Sequence, residues 1–372
     1  MASLIVSRSH TRRRSLAARL ALGLACLALF ACAPAAPTAE RAAPATQSAP
    51  SAASTGAPAP SAPSAPTALK LHLPSRSTSY LPWYIAIEQG YFKEQGLDVE
   101  IVQATGTVGI QALLAGEMQF SGAASSAVPA IALGAPLKVV YAQSGRANYW
   151  LVAKPEIKTL ADLKGKRIVV PNLGGSTYQR LADGALRRAG LDPATDVNYV
   201  AGGSAGGGSS DVLVGSLVSG LADAMVGNVL QRLVAEEQGF HTIYSFGDEA
   251  LDLQGGVATT DSLLANQPDL AQRFFVAAVK GTRVMVDDPA TSLDVLLKYV
   301  ELDRDAAARG LEWVRPLTAK DGLIPAAEQP EILAVLRQTY EIDENLEPGQ
   351  VFAFRPLQQA AQTVDASGWK PK

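Results

Sequence analysis

From Ala68 to Phe246, short runs of alternating hydrophobicity are interleaved with runs of helical length, and that alternation leaves few architectures open. Leu69, Leu71 and Leu73 alternate with Lys70, His72 and Pro74, the period of two expected of a strand. The stretch 79–96 reads as a helix, with Ser79 as N-cap, Pro82 in the first turn and Gly90 or Gly96 as the stop. A strand (97–102), a short helix (109–117), a strand (118–123), a helix (127–134) and a strand (137–143) follow. Strands separated by helices need crossover connections, so the pattern predicts an α/β fold with parallel pairing.

After Tyr149–Ala153 the pattern begins again. Thr159 and Asp162 have the spacing of a capping box. Strands are predicted at 166–172, 196–200, 222–227 and 241–246, with helices at 176–190, 211–220 and 229–239. The segments ALLAGEMQFSGAAS (112–125) and SLVSGLADAMVGNV (216–229) both read helix, glycine, strand, small-residue turn; Leu113 then matches Leu217 and Gly116 matches Gly220. Two similar lobes follow, although any two βαβ units share some of this likeness. From Leu251 the chain reads as mostly helical, over 261–267, 268–287, 289–300, 303–313, 326–341 and 356–366.

The N-terminus reads as an address. Residues 1–31 hold five Arg and no acid, followed by an apolar run from Leu16 that is too short for a spanning helix and suited to a signal peptide. It ends in Leu29-Phe30-Ala31-Cys32, which is similar to a lipoprotein processing site in which Cys32 would be lipidated; Cys26 would be discarded. Plain secretion is the simpler reading, and Arg12-Arg13-Arg14 leaves a twin-Arg export route open. Residues 33–67 contain 14 Ala and 8 Pro among 35 residues, too little large apolar surface to offset the entropy of ordering, and are expected to be a disordered tether. The expected divisions are 1–31 signal peptide, 32–67 tether, 68–150 first part of lobe one, 151–247 lobe two, and 248–372 completion of lobe one, with hinge strands near 149–153 and 246–258.

Composition excludes several functions. Without residues 1–31 the chain carries 27 Lys+Arg against 35 Asp+Glu, a net of −8, which argues against a nucleic-acid partner. No Cys follows Cys32, and the three His, at 10, 72 and 241, make no pair at metal-binding spacing, so neither metal nor cofactor is expected. Gly165-Lys166 lacks the earlier glycine of a phosphate loop. Gly202-Gly203-Ser204-Ala205-Gly206 fits a nucleophile elbow, which keeps a secreted serine hydrolase as the alternative; however, only His241 follows as a base, the next helix starts near Ser209, too late for a sharp elbow, and a flexible Gly-rich loop is the preferred reading.

In parallel α/β lobes, ligands collect where strands end and helices begin. The turns there, 75–80, 104–107, 123–127, 143–148, 171–177 and 227–229, are rich in Ser, Thr, Asn and Gly and hold no Asp or Glu. Ordinary helix capping accounts for part of that composition.

The strings YLPWYIAIEQGYFKEQGLDVEIV, GIQALLAGEMQFSGAASSAVPAIALGAPLKVV and TLADLKGKRIVVPNLGGST resemble the solute-binding proteins of ABC importers, in the branch that takes alkanesulfonates, taurine, nitrate and thiamine-pyrimidine precursors. The likeness covers about residues 68–290. It implies a type II periplasmic-binding-protein fold: two α/β lobes, two crossovers, a hinge and a ligand cleft between the lobes. It also implies an extracytoplasmic monomer that delivers its ligand to a permease and ATPase subunits; a sensing receptor without transport is a second possibility. A pyrimidine-synthase relative would carry a Cys cluster, and this chain has none after Cys32.

The candidate ligand-binding residues are Arg76, Ser79, Tyr80, Trp83, Thr107, Ser125, Ser126, Arg146, Tyr149, Gly175, Ser176, Thr177 and Asn228. The helix start near Ser176, opened by Gly174 and Gly175, offers unpaired N–H groups to an anion, and Arg76 with Arg146 would complete a charge-assisted clamp. The expected ligand is anionic or neutral and polar, packed on Tyr80, Trp83 or Tyr149.

Overall fold

A computed structural model describes residues 65–171, 173, 177–202, 210–343 and 345–371. Cys32, Gly174, Gly175, Ser176 and Ser204 lie outside them.

Among the described residues, twelve strands form two five-stranded sheets and a two-stranded ribbon. The first sheet uses β1 (Thr67–Leu73), β2 (Leu97–Gln103), β3 (Phe120–Ser121) and β4 (Leu137–Tyr141). The chain then passes through β5 (Ser144–Arg146) into the second sheet, built from β6 (Trp150–Ala153), β7 (Arg167–Val170), β8 (Asn198–Ala201), β9 (Ala224–Gly227) and β10 (His241–Ser245). It returns through β11 (Leu251–Gln254) to β12 (Val257–Thr260), which completes the first sheet. The strand orders are β2-β1-β3-β12-β4 and β8-β7-β9-β6-β10, the same arrangement twice. In each sheet the fourth strand is antiparallel to both neighbours and is the first strand to follow a crossover. The pairing is therefore mixed, which corrects the expectation of parallel pairing throughout: β1 and β7 pair in parallel with their neighbours, whereas β6 and β12 run the other way.

The repeated sequence unit occupies equivalent places. Leu113 and Leu217 are both buried, and Gly116 and Gly220 both end a helix at left-handed φ, 76° and 73°, where glycine carries no Cβ penalty. The capping box at Thr159 and Asp162 is formed and opens a short 3₁₀ turn. Ser79 is not an N-cap. The first helix runs Leu81–Glu88 with Tyr80 at the cap position and no side-chain capping bond, and Gly90 separates it from Tyr91–Glu94.

The first lobe's core is aromatic: Phe120 stacks on Phe274 at 3.7 Å, and Trp83 on Phe274 at 5.3 Å. Phe274 belongs to the 20-residue helix Pro268–Asp287, which packs across the Leu81–Glu88 helix. The remaining C-terminal helices include Pro289–Tyr299, Arg304–Val314, Gln329–Thr339 and Arg355–Ala366. The two crossovers pair with each other: β5 and β11 form an antiparallel ribbon, extended by Ala147 N–H donating to Ala250 O and Phe246 N–H to Tyr149 O.

Candidate functional site

A cavity of about 440 Å³ opens between the two sheets, within the range usual for small-molecule sites. The ends of β1, β2 and β3 and the helix starts after them supply one wall: Ser75, Ser79, Tyr80, Gly106, Ser125 and Ser126. Thr177, Asn228, Val229 and Leu230, at two helix starts of the second sheet, supply another. The crossovers form the floor, with Asn148 and Tyr149 from one and Asp252 to Gly256 from the other. The last wall comes from the C-terminal helices through Val314, Leu336, Thr339 and Tyr340.

Seven sequence candidates meet on this cavity: Ser79, Tyr80, Ser125, Ser126, Tyr149, Thr177 and Asn228. Several are engaged in the fold as well. Tyr80 OH donates to Gly122 O at 2.9 Å, and Ser125 Oγ to Leu253 O at 3.2 Å. Asn228 Oδ1 accepts from the backbone of Leu230 and Gln231, so the amide oxygen is a helix cap. Gly255 lets the second crossover approach the Ser79 turn: its φ is +57°, and a Cβ there would sit 2.4 Å from Ser79 O.

Four candidates lie elsewhere. Trp83 is fully buried between Phe274 and Tyr141, because the helix that begins at Leu81 turns it into the core. Thr107 is exposed on the helix Gly106–Leu114, and only Gly106 of that helix reaches the cavity. Arg76 is exposed and its charge acts on the stacked Tyr84 and Tyr299. Arg146, in β5, pairs with Glu328 at 2.9 Å outside the cavity lining. The two-arginine clamp is therefore not assembled.

The cavity instead contains a carboxylate that the sequence reading overlooked. Asp252 is 6% exposed. Its Oδ1 accepts from Leu253 N and its Oδ2 from Gln254 Nε2. Burial lifts the Asp252 carboxyl above its ordinary range, against the pull of Arg180 and those two hydrogen bonds. Asn148 is also 6% exposed, and its Oδ1 has no hydrogen-bond partner; neither has Thr339 Oγ1. The tyrosines are neutral donors and acceptors at ordinary pH. Desolvation, with Tyr178 and Asp252 adding to it, holds the Tyr149 phenol well above its usual range, and desolvation pushes Tyr178 up to about 12. Tyr149 packs on Tyr178 with ring centroids 4.8 Å apart. The alternation Leu251-Asp252-Leu253-Gln254, followed by two glycines, was the available sign of this strand.

Two sheets of the same strand order, linked by two paired crossovers with a cavity between them, define the type II periplasmic-binding-protein fold. The family model described as NMT1/THI5 like matches residues 77–292, more than half of the chain, and the chain belongs to that family. The formylaminopyrimidine-binding protein of Halalkalibacterium halodurans is 26% identical over 234 residues, covering 58% of this chain and 64% of the relative. The riboflavin-binding protein RibY of Chloroflexus aurantiacus is 25% identical over 266 residues, covering 66% of this chain and 72% of the relative. The periplasmic aliphatic sulphonate binding protein SsuA of Escherichia coli superposes with a TM-score of 0.62 at 18% identity, over 77% of this chain and 92% of that one. The desulfurization enzyme DSZB shares the fold at a TM-score of 0.59 and 16% identity, over 80% of this chain and 99% of that one.

Proposed function

We propose that this chain is the extracytoplasmic solute-binding receptor of an ABC importer. The observation that carries the reading is the position of the cavity: a molecule in it touches helix starts of both sheets and both crossovers at once. Lobe one would comprise 68–150 and 248–372, and lobe two 151–247. Closing them over a solute favours the closed form only by the difference in affinity between the two forms. A Kd near ~1 μM corresponds to about −8 kcal/mol, within reach of a few hydrogen bonds and an aromatic wall.

Binding without chemistry is the reading we favour. Neither His72 nor His241 lines the cavity to serve a hydroxyl as base, and no Cys follows Cys32. Cys32 would carry the lipid anchor, residues 33–67 the tether, and the working form would be a monomer. Among the described residues no helix is long and apolar enough to cross a membrane.

Thermal-shift and calorimetric screening of sulfonates, nitrate, carboxylates, pyrimidines and flavins should find a solute that binds saturably. Labelling by a fluorophosphonate probe that is lost in Ser204→Ala would overturn the receptor reading in favour of a hydrolase. Cys32→Ala should move the protein from the membrane to the soluble fraction; unchanged fractionation would remove the anchor.

A further inference from the structure

A relay of buried polar groups runs from the first crossover to the C-terminal helices. Gln143 is fully buried and Asn148 nearly so. Asn148 Nδ2 donates to Gln143 Oε1 at 3.4 Å, Gln143 Nε2 donates to Thr318 Oγ1 at 2.9 Å, and Thr318 Oγ1 donates to Val314 O at 3.2 Å. Asn148 lines the cavity, whereas Gln143 and Thr318 stand outside it. Among the described residues, Asn148 Oδ1 has no partner.

A side-chain amide can face its neighbours either way, so the relay has two self-consistent senses. In the first, every donor points toward Val314 and Asn148 turns its oxygen to the cavity. In the second, both amides are flipped, the Thr318 hydroxyl donates to Gln143, and Asn148 turns its NH2 to the cavity. The Val314 carbonyl decides between them, because it can only accept. The first sense makes three bonds within the relay and the second makes two, since the single Thr318 proton cannot serve Val314 and Gln143 at once. The choice made at Thr318 is thus passed through Gln143 to the cavity.

The relay is tied to the first sheet. Ala319 N–H donates to Gln143 O at 2.7 Å and Ala142 N–H to Gly322 O at 2.9 Å, so residues 319–322 run against the chain leaving β4. Asn148 is where that hold ends. Tyr149 N–H donates to Ala147 O at 2.9 Å, a γ-turn centred on Asn148, and β6 of the second sheet begins at Trp150. The Asn148 backbone therefore turns between the two sheets while its amide is held from the side of the first. Val314 and Thr318 lie beyond residue 292, outside the family-matched region.

We propose that Thr318 and Gln143 are positioning residues for the cavity: they fix the Asn148 amide so that a molecule in the cavity meets its oxygen and not its NH2. The role in solute capture rests on the receptor reading; the orientation itself can be tested without any solute.

Water is the probe, because it reaches whatever faces the cavity. Exchange of side-chain amide protons with water, followed by NMR on protein labelled with 15N-asparagine, should show the Asn148 NH2 exchanging about tenfold more slowly than that of the exposed Asn198. Thr318→Val keeps the shape and removes the hydroxyl, and should raise the Asn148 rate about fivefold. Thr318→Ser restores the hydroxyl and should return the rate to the wild-type value. Gln143→Met removes the middle link and should act as Thr318→Val does, which keeps the test open if either variant fails to fold. Glu328→Gln weakens the neighbouring hold on Arg146 without touching the relay, and should leave the rate unchanged. Wild-type Asn148 exchanging as fast as Asn198, or Glu328→Gln raising the rate as much as Thr318→Val, would overturn the proposal and leave the receptor reading intact. A screen in which no solute binds would sink the receptor reading and leave these rates where they are.

Discussion

A single buried imidazole links the fold to pH. His72, at the end of β1, is fully buried; its Nδ1 lies 2.8 Å from Ser121 Oγ and its Nε2 3.0 Å from Ala104 O. Nε2–H donating to Ala104 O and Nδ1 accepting from Ser121 Oγ satisfies the neutral ring, and a second proton on Nδ1 would require the Ser121 hydroxyl to turn from donor to acceptor. Burial holds the His72 pKa below its ordinary 6.5, more than the Ala104 carbonyl raises it. Below pH 6.5 the unfolded chain therefore binds a proton that the folded chain refuses, so stability is complete above that pH and declines as pH falls toward the folded pKa. Urea unfolding should show the midpoint dropping between pH 7 and 5, with His72→Gln flattening that part of the slope. An NMR titration placing the His72 ring above 6.5 would contradict this. The same reasoning shows why residue types misled at other positions. Trp83 and Arg146 have the chemistry of ligand contacts, yet one is turned into the core and the other is taken by Glu328.

At the scale of elements, the ribbon of β5 and β11 depends on how closely two backbones can approach. Gly255 has φ +57°, and a Cβ would lie 2.4 Å from Ser79 O and 2.7 Å from Gln143 Cβ. Gly255→Ala therefore combines a left-handed penalty of about 1–2 kcal/mol with overpacking of about 1–3 kcal/mol. Urea unfolding should register a loss of at least ~2 kcal/mol, whereas Gly349→Ala, with nothing within 4 Å of its Cβ, should stay within about 0.5 kcal/mol. An equal effect at the two positions would refute the close-approach argument. Element legibility divides along similar lines. The helix Pro268–Asp287 was readable to the residue, because proline starts it and the apolar stripe runs its full length. Strands β5, β11 and β12 are three or four residues long, too short for alternation to stand out, and two of them follow a point where helical patterns dominate. Half the site was hidden with them. The rule that ligands sit at strand ends located Ser79, Tyr80 and the turn 143–148 that holds Asn148, but Asp252 and Thr339 sit on the second crossover and a distant helix that no local pattern joins.

Across the whole molecule, the C-terminal helices connect the lobes as well as walling the cavity. Arg232, in the helix Val229–Glu237, lies with its guanidinium carbon 3.4 Å from the ring centre of Trp313 and 5.2 Å from that of Trp150. Glu236 accepts from its Nε at 2.8 Å. Trp150 and Arg232 belong to the second sheet and its helices, whereas Trp313 ends the helix Arg304–Val314, which packs on Pro289–Tyr299 and through it on the first helix. Arg309 and Glu237 make a second, exposed contact along the same seam, worth little by itself. The helix held in this way starts at Val229, on the cavity wall, so the contact fixes where one lobe stands relative to the ligand. A partly desolvated cation–π contact contributes about 0.5–2 kcal/mol, and 1.4 kcal/mol is a tenfold change in an equilibrium between open and closed forms. Trp313→Ala should therefore loosen this seam and let lobe two swing further than in the wild type. Small-angle scattering of the unliganded variant should give a larger radius of gyration than the wild type, and a saturating solute should bring the two together. Equal radii without ligand would mean that the Arg232–Trp313 contact does not set the angle between the lobes.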